Sequence, residues 1–212
     1  MLIMVLAMLY SLSSFAQKKF SEGTIYYDIV INTGSDKPKT ADFFDGATSA
    51  VYLKGNKSRT EMVSSLGTQS TIVDGTNEVA ILKEYGDQKY MIKLSPDEWK
   101  DANKKNEGIS FTYDNSETKT IAGYLTRKAV GRHSDGTTFI AWYTTDLQPE
   151  NKNFQYSTGN LPGLAMQYET ALGDVKVTYT VSKISFSPVP ASKFELPKAG
   201  FRILTYQESK GY

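Results

Sequence analysis

The sequence predicts a mainly β protein, built as a meander of short antiparallel strands with one or two short helices. Three observations predict this class. Apolar and polar residues alternate with a period of two along most of the chain after Gln17. Tight-turn dipeptides such as Gly55-Asn56 and Gly86-Asp87 separate the alternating runs, as they do in β-hairpins. A single strong helix start, at Ser95, interrupts the pattern.

The first alternating run is residues 23–31, GTIYYDIVI, in which Ile25, Tyr27 and Ile29 share one face of a strand. Later runs follow the same rule, and residues 118–132 are predicted as one continuous strand. The further strand-forming segments are residues 49–63, 70–94, 109–114, 118–132, 137–146, 164–172 and 174–186.

Two irregularities predict how the sheet bends and how it is covered. Residues 139–143, FIAWY, are apolar on both faces, which indicates a sheet with something packed against each side. In the last long strand the apolar parity changes between Val181 and Ile184. This change predicts a β-bulge near Ser182, and bulges help a sheet to curl.

The helix signal lies in residues 95–104. Ser95 is a suitable N-cap, Pro96 occupies the first helical position, and two acidic residues follow at the positive end of the helix dipole. Trp99 would be the main apolar contact of this helix. A second, weaker helix is predicted over residues 38–46, with Phe43 and Phe44 as anchors.

The first sixteen residues are typical of a secretory signal peptide, which predicts a single mature domain over residues 17–212 in the periplasm or outside the cell. An apolar run from Met1 to Tyr10 leads to a small-x-small cleavage site that ends at Ala16, although no Lys or Arg precedes the run. A membrane anchor would need about 20 apolar residues. The chain has no cysteine, which excludes disulfides, thiolate chemistry and a lipoprotein anchor.

The charge balance and the motif content argue against several classes of function. Lys and Arg number 24 against 23 Asp and Glu, so no basic excess favours nucleic acid or an anionic membrane surface. The single histidine, His133, lies next to the predicted turn at 134–136 and is expected to be a solvated turn neighbour. No catalytic, phosphate-binding or metal-binding motif occurs. We expect neither an enzyme nor a protein with a cofactor or metal.

Apolar and aromatic side chains are the remaining candidates for a site. Flexible thioethers and aromatic faces on one concave sheet suit an acyl chain or another apolar ligand. The alternative is that these residues only fill the core, where such side chains usually lie. The candidate lining residues are Met62, Met91, Trp99, Phe111, Trp142 and Met166.

The stretch GNLPGLAMQYE, residues 159–169, is predicted as a rigid corner. Pro162 would fix φ at the first corner of a type II turn, and Gly163 would supply the positive φ at the second. Leu161 and Leu164 are expected to pack beneath this turn. The sequence therefore indicates a structural element here and not a binding site.

Several segments together resemble a family of exported bacterial proteins of unknown function that is similar to the outer-membrane lipoprotein carrier and lipoprotein-sorting superfamily. The segments are residues 59–94, IAGYLTRKAV, FIAWYTTDL, LPGLAMQYE and FELPKAGF. The Leu-Pro-Gly-Leu element is also similar to that of the GLPGLI group of secreted proteins, although Asn160 and Ala165 depart from it. The resemblance implies a strongly curved antiparallel sheet, an incomplete β-barrel, with helices over its concave face.

The resemblance and the residue pattern leave two hypotheses of function. In the first, the protein is an exported cell-envelope protein that binds an apolar ligand, a lipid or lipoprotein acyl chain, in the concavity of the half-barrel. In the second, it is a non-catalytic envelope protein with a filled core that acts through other envelope proteins. Lipid carriage is implied only at the level of the fold.

Overall fold

The computed structural model describes residues 18–32, 46–75, 78–172 and 175–211. In these residues the chain forms fourteen strands, two short α-helices and two 3₁₀ turns, at residues 104–106 and 191–194. The helices are α1 (Pro96–Ala102) and α2 (Tyr206–Ser209). The strands are β1 (Lys18–Phe20), β2 (Glu22–Asn32), β3 (Thr48–Lys54), β4 (Lys57–Ser64), β5 (Gly67–Val73), β6 (Val79–Tyr85), β7 (Gln88–Leu94), β8 (Ser110–Ile121), β9 (Tyr124–Arg132), β10 (Thr138–Thr144), β11 (Leu147–Pro149), β12 (Leu164–Leu172), β13 (Val175–Ser185) and β14 (Arg202–Leu204).

Twelve of these strands form one sheet, which confirms the predicted mainly β class. The strand order is β14-β7-β6-β5-β4-β3-β2-β13-β12-β10-β9-β8, and β1 pairs with β11 in a separate parallel pair. The sheet is not closed into a barrel, because β14 and β8 remain as its two edges. It consists of an N-terminal meander (β2 to β7), to which β14 adds in parallel beside β7, and a C-terminal meander (β8 to β10, β12 and β13). The two meanders are joined by the pairing of β2 with β13.

The sheet curls strongly in its C-terminal meander. Register shifts interrupt the pairing of β10 with β12, between Trp142 and Tyr143, and the pairing of β8 with β9, between Asp114 and Thr118. The register of β13 shifts between Val181 and Lys183, which confirms the bulge predicted near Ser182. Such bulges increase local twist and let a sheet bend.

Both faces of the N-terminal meander are covered. On the concave face, Val73 and Ile92 pack with Trp99 of α1 in one apolar cluster. On the convex face, Leu82 packs with Leu196 and other residues that follow β13 in the chain. We call residues 186–201, which cover this convex face, the C-terminal cover. Alternate side chains of β5 to β7 are therefore buried on opposite sides of the sheet.

Helix α1 begins after the predicted N-cap, Ser95, and the structure shows that Ser95 and Glu98 form a capping box. Ser95 Oγ accepts a hydrogen bond from the backbone N–H of Glu98 at 3.4 Å, and Glu98 Oε2 accepts one from the backbone N–H of Ser95 at 2.9 Å. These contacts hold the pKa of the Glu98 carboxyl below its usual range. The helix ends at Ala102, and a 3₁₀ turn carries the chain onward. The second predicted helix falls mostly on residues 33–45, outside the described residues.

Two local predictions were wrong. Residues 118–132 do not form one strand, because Ala122 and Gly123 take positive φ angles of 48° and 84° and make the hairpin turn between β8 and β9. Gly163 does not occupy the left-handed region, so the corner is not the predicted type II turn. Its glycine is required for space instead. A Cβ at Gly163 would lie 1.9 Å from the carbonyl oxygen of Thr144.

Candidate ligand-binding site

A cavity of about 380 Å³ lies against the concave face where the two meanders meet. Its walls come from β2 to β5 on one side and from β12 and β13 on the other. Residues 103–106 and residues 154–158 cover it. We call residues 150–163, the irregular connection between β11 and β12, the roof segment. The volume lies near the lower end of the roughly 300–1,000 Å³ that small-molecule sites occupy.

Most of the lining consists of neutral polar side chains. Hydroxyl and carboxamide groups predominate, and only three lining side chains are fully apolar. Among the described residues that line the cavity, none carries a carboxylate or an imidazole, and the one charged residue is the exposed Lys105. The lining residues are Tyr27, Ser49, Val51, Thr60, Met62, Gln69, Thr71, Asn103, Lys105, Asn106, Phe154, Gln155, Tyr156, Ser157, Thr158, Tyr168, Thr170 and Tyr179.

Three tyrosines form an aromatic wall across the junction of the meanders. The rings of Tyr168 and Tyr179 are stacked at 5.0 Å with an angle of 3° between their planes. Tyr27 meets Tyr168 edge to face at 5.9 Å, and its hydroxyl donates a hydrogen bond to the carbonyl oxygen of Ala165 at 3.2 Å. Burial raises the pKa of all three phenols above the usual tyrosine value. The wall is therefore uncharged at neutral pH.

The roof segment is held in place by its own hydrogen bonds and by an aromatic contact. Lys152 Nζ donates to the carbonyl oxygen of Leu161 at 3.2 Å, and the Asn160 amide donates to the carbonyl oxygen of Ile109 at 3.1 Å. The ring of Tyr156 packs edge to face on Trp99 of α1 at 5.2 Å. Burial raises the pKa of Tyr156 as well, so this phenol also stays neutral. The helix thus supports the roof.

Gln155 is the most informative residue of the roof segment. Its side chain lines the cavity and is only 5% exposed. Within the part of the chain that the structure describes, neither its Nε2 nor its Oε1 has a hydrogen-bond partner. A buried polar group left without a partner costs about 1–3 kcal/mol. A side-chain amide whose donor and acceptor are both unpaired inside a cavity is therefore a candidate for ligand recognition.

His133 lies beside the rim of the cavity. The turn predicted directly after it, at 134–136, is confirmed by the structure. Its Nδ1 lies 3.0 Å from the carbonyl oxygen of Lys105, so Nδ1 carries the proton that it donates. The ring also contacts Phe139, with centroids 5.2 Å apart. The imidazole is a partly exposed neighbour of the turn, and its hydrogen bond ties the hairpin to the 3₁₀ turn at the cavity.

The structure does not bring the six predicted lining residues together. Met62 lines the cavity. Trp99 reaches it only through its contact with Tyr156 and borders a smaller pocket with Val73 and Val79. Met91 is buried in the convex-face cluster with Leu82, on the other side of the sheet.

The other three predicted residues lie in the C-terminal meander and do not line the cavity. Met166 is fully buried in the largest apolar cluster of the protein. Trp142 packs at the margin of that cluster, with Lys119 Nζ 4.1 Å from its ring centroid. Phe111 packs edge to face on Phe139 at 5.9 Å. These three side chains fill or border the core.

Sequence reasoning misses the tyrosine wall and Gln155 for different reasons. Tyr27 belongs to the buried parity of its strand, but alternation does not reveal which buried side chains border a cavity. Gln155 lies in NKNFQYSTGN, a polar stretch with no periodicity that cannot be distinguished from a solvated loop. Only the fold places this stretch over the concave face.

Comparison with known proteins identifies the fold but not a family. No protein-family model matches the chain, and no curated protein matches it in sequence. In structure it is similar to an uncharacterized conserved protein from Thermus thermophilus, with a TM-score of 0.53 and 10% identity over 87% of this chain and 91% of that chain. This likeness shows the fold alone. In the described residues, no helix is long and apolar enough to cross a bilayer, and no three His, Asp or Glu side chains are grouped like metal ligands.

Proposed function

We propose that this protein is an exported ligand-binding protein of the cell envelope and that the cavity beneath the roof segment is its site. One observation carries the proposal: Gln155 is buried in the cavity wall with both amide functions unpaired among the described residues. A ligand that completes these hydrogen bonds would recover their cost. The envelope location rests on the signal-peptide pattern of residues 1–16.

The chemistry of the lining supports binding without catalysis. The phenols of Tyr27, Tyr156, Tyr168 and Tyr179 keep their protons at neutral pH, because burial raises their pKa. They can donate and accept hydrogen bonds but are poor proton-transfer groups at that pH. The amide of Gln155 does not titrate. These groups can hold and orient a molecule, and they do not supply an acid, a base or a nucleophile.

The lining also bears on the kind of ligand. An acyl chain, which the resemblance implies, would meet the apolar side chains of Val51, Met62 and Phe154 and the rings of the four lining tyrosines. It would leave both amide atoms of Gln155 without hydrogen-bond partners, and burying polar groups in that way is costly. The proposal therefore keeps the concave-face location implied by the resemblance and does not require a lipid.

Native mass spectrometry of the protein expressed with its leader and recovered from the periplasm tests this proposal. We expect the chain from Gln17 with a discrete added mass that disappears on denaturation. Gln155→Met, prepared in parallel, should carry little of that mass because the thioether has the size of the glutamine but makes only weak hydrogen bonds. Gln167→Met, which changes a glutamine outside the cavity, should retain it. A bare chain in the wild type would overturn the proposal and favour a function through protein partners.

A further inference from the structure

We propose that the ligand is an uncharged polyhydroxylated molecule, a saccharide of one or two rings. This inference rests on the proposed function, since it assigns a chemical class to the ligand of the same cavity. Three properties of the described lining carry it: its lack of interior charge, its paired hydrogen-bonding functions and its aromatic wall.

The electrostatics of the cavity favour a neutral ligand. Of the described residues that line it, only Lys105 is charged, and that residue is exposed at the rim. A carboxylate, phosphate or ammonium group placed among Tyr27, Tyr168 and Gln155 would lose its hydration without meeting an opposite charge. Burying a charge in that manner is strongly unfavourable. Fatty acids, amines and phosphorylated compounds are therefore disfavoured inside the cavity.

The hydrogen-bonding groups of the lining match hydroxyl groups. The Ser and Thr hydroxyls and the Tyr phenols can each donate and accept, as a saccharide hydroxyl does. The Gln155 amide presents a donor, Nε2, beside an acceptor, Oε1, and both are unpaired among the described residues. Two neighbouring hydroxyls of a sugar ring can complete both functions at once, with one hydroxyl accepting and the other donating.

The shape of the wall suits a flat ring with an apolar face. Tyr168 and Tyr179 stack on each other and Tyr27 is only 3% exposed, so the ring surface open to a ligand is the part of Tyr168 and Tyr179 that lies outside their mutual contact. The C–H groups on one side of a pyranose ring can pack on such aromatic surfaces, while its hydroxyls point outward toward polar partners. The volume of about 380 Å³ is suited to a small ligand and not to a long polymer segment.

Saturation-transfer NMR on the full mature protein tests the class directly. The probes are mixtures of neutral pentoses, hexoses, N-acetylhexosamines and disaccharides, together with matched charged analogues: glucuronate against glucose and glucosamine against N-acetylglucosamine. Palmitate is included as an acyl-chain probe. We expect at least one neutral saccharide to bind, and its charged analogue to bind at least tenfold more weakly. Gln155→Met should weaken the neutral ligand at least tenfold, and Gln167→Met should leave its affinity unchanged within twofold.

The outcomes separate this inference from the proposed function. One outcome is that native mass spectrometry shows an added mass that Gln155→Met loses, while in NMR palmitate or a charged analogue binds and no neutral saccharide does. In that case the proposed ligand class is wrong and the proposed site is retained. If there is no added mass and no probe binds, both are wrong. Saccharide binding that Gln155→Met does not alter would also overturn the inference, because it would place the sugar elsewhere.

Discussion

Two irregular segments cover the two faces of the same sheet, and they do so in different ways. The C-terminal cover (residues 186–201) satisfies polar groups as it packs on the convex face. The backbone N–H of Val189 donates to Glu22 Oε1 at 2.8 Å, and Lys54 Nζ donates to the carbonyl oxygen of Val189 at 2.9 Å. Phe194 is buried beneath it with 5% exposure.

The roof segment (residues 150–163) also buries apolar side chains, such as Phe154 and Leu161, but it leaves polar groups without hydrogen-bond partners among the described residues. Gln155 has no partner for either amide function among the described residues, and Asn151 has none for Nδ2. A cavity borders each segment, of about 380 Å³ at the roof segment and about 490 Å³ at the C-terminal cover, so the unpaired amide and not the cavity distinguishes the two. The difference indicates two roles for such segments. A segment whose buried polar groups are paired within the protein stabilises the fold, whereas a segment with unpaired buried polar groups can bind another molecule through them.

Gly163→Val is expected to have the largest effect, because it breaks the roof segment at its end. A Cβ at this position would lie 1.9 Å from the Thr144 carbonyl oxygen, which is backbone and cannot move aside. We expect a loss of more than about 3 kcal/mol in the free energy of unfolding, beyond the usual range for overpacking. Urea denaturation measures it. Gly163→Ala should be nearly as damaging, and a mild Ala variant would contradict the steric explanation.

Phe194→Ala is expected to damage the C-terminal cover without touching the site. Truncating a buried phenylalanine typically costs about 3 kcal/mol or somewhat more. Phe194 belongs to the convex side and does not line the cavity beneath the roof segment. We therefore expect a lower midpoint in urea with unchanged ligand affinity, measured below the unfolding transition. A specific loss of binding would show that the two covers are coupled.

Two glutamine variants are expected to change the free energy of unfolding in opposite directions. Gln155→Met removes an unpaired buried amide and should raise the free energy of unfolding by about 1 kcal/mol in the ligand-free protein. Gln167 accepts a hydrogen bond from Lys119 and donates one to Thr180 Oγ1 at 2.7 Å. Gln167→Met should therefore lower stability by about 1 kcal/mol. Equal effects in calorimetry would contradict the distinction between paired and unpaired amides.

The smallest effect is expected from the pH dependence of the C-terminal cover. The hydrogen bond from Lys54 Nζ at 2.6 Å, together with that from Val189, holds the pKa of Glu22 below its usual value of 4.5. A carboxyl with a lowered pKa contributes stability above 4.5, and this contribution is lost as the pH falls through the lowered pKa. Glu22→Gln should reduce the decline of the melting temperature in acid. An unchanged acid profile would rule out this linkage.

Local features of the fold could be predicted from the sequence, because neighbouring residues determine them. The N-cap at Ser95 and the bulge near Ser182 follow from short patterns. The need for glycine at position 163 could not be assigned correctly, because its cause is the carbonyl of Thr144, which lies on another strand. The site was harder still. Met91 and Met62 both lie in alternating strands, but the pairing register of β4 to β7 places them on opposite faces of the sheet, and only Met62 lines the cavity.

The junction between the two meanders has a kinetic consequence. Neighbouring strands within each meander are close in sequence, so each can form early from local contacts. The junction instead joins distant parts of the chain: the hydrogen bond from Tyr27 to Ala165 spans 138 residues. We expect this closure to be the slow step of folding, because loop closure must precede the contacts that reward it.

The cavity exists only after that closure, since β2 to β5 supply one wall and β12 and β13 the other. A molecule bound between them touches both meanders and would have to leave before they separate. Occupancy should therefore slow unfolding more than it speeds folding, as expected of contacts formed after the transition state. Ligand binding would then be measurable as a longer lifetime of the folded protein.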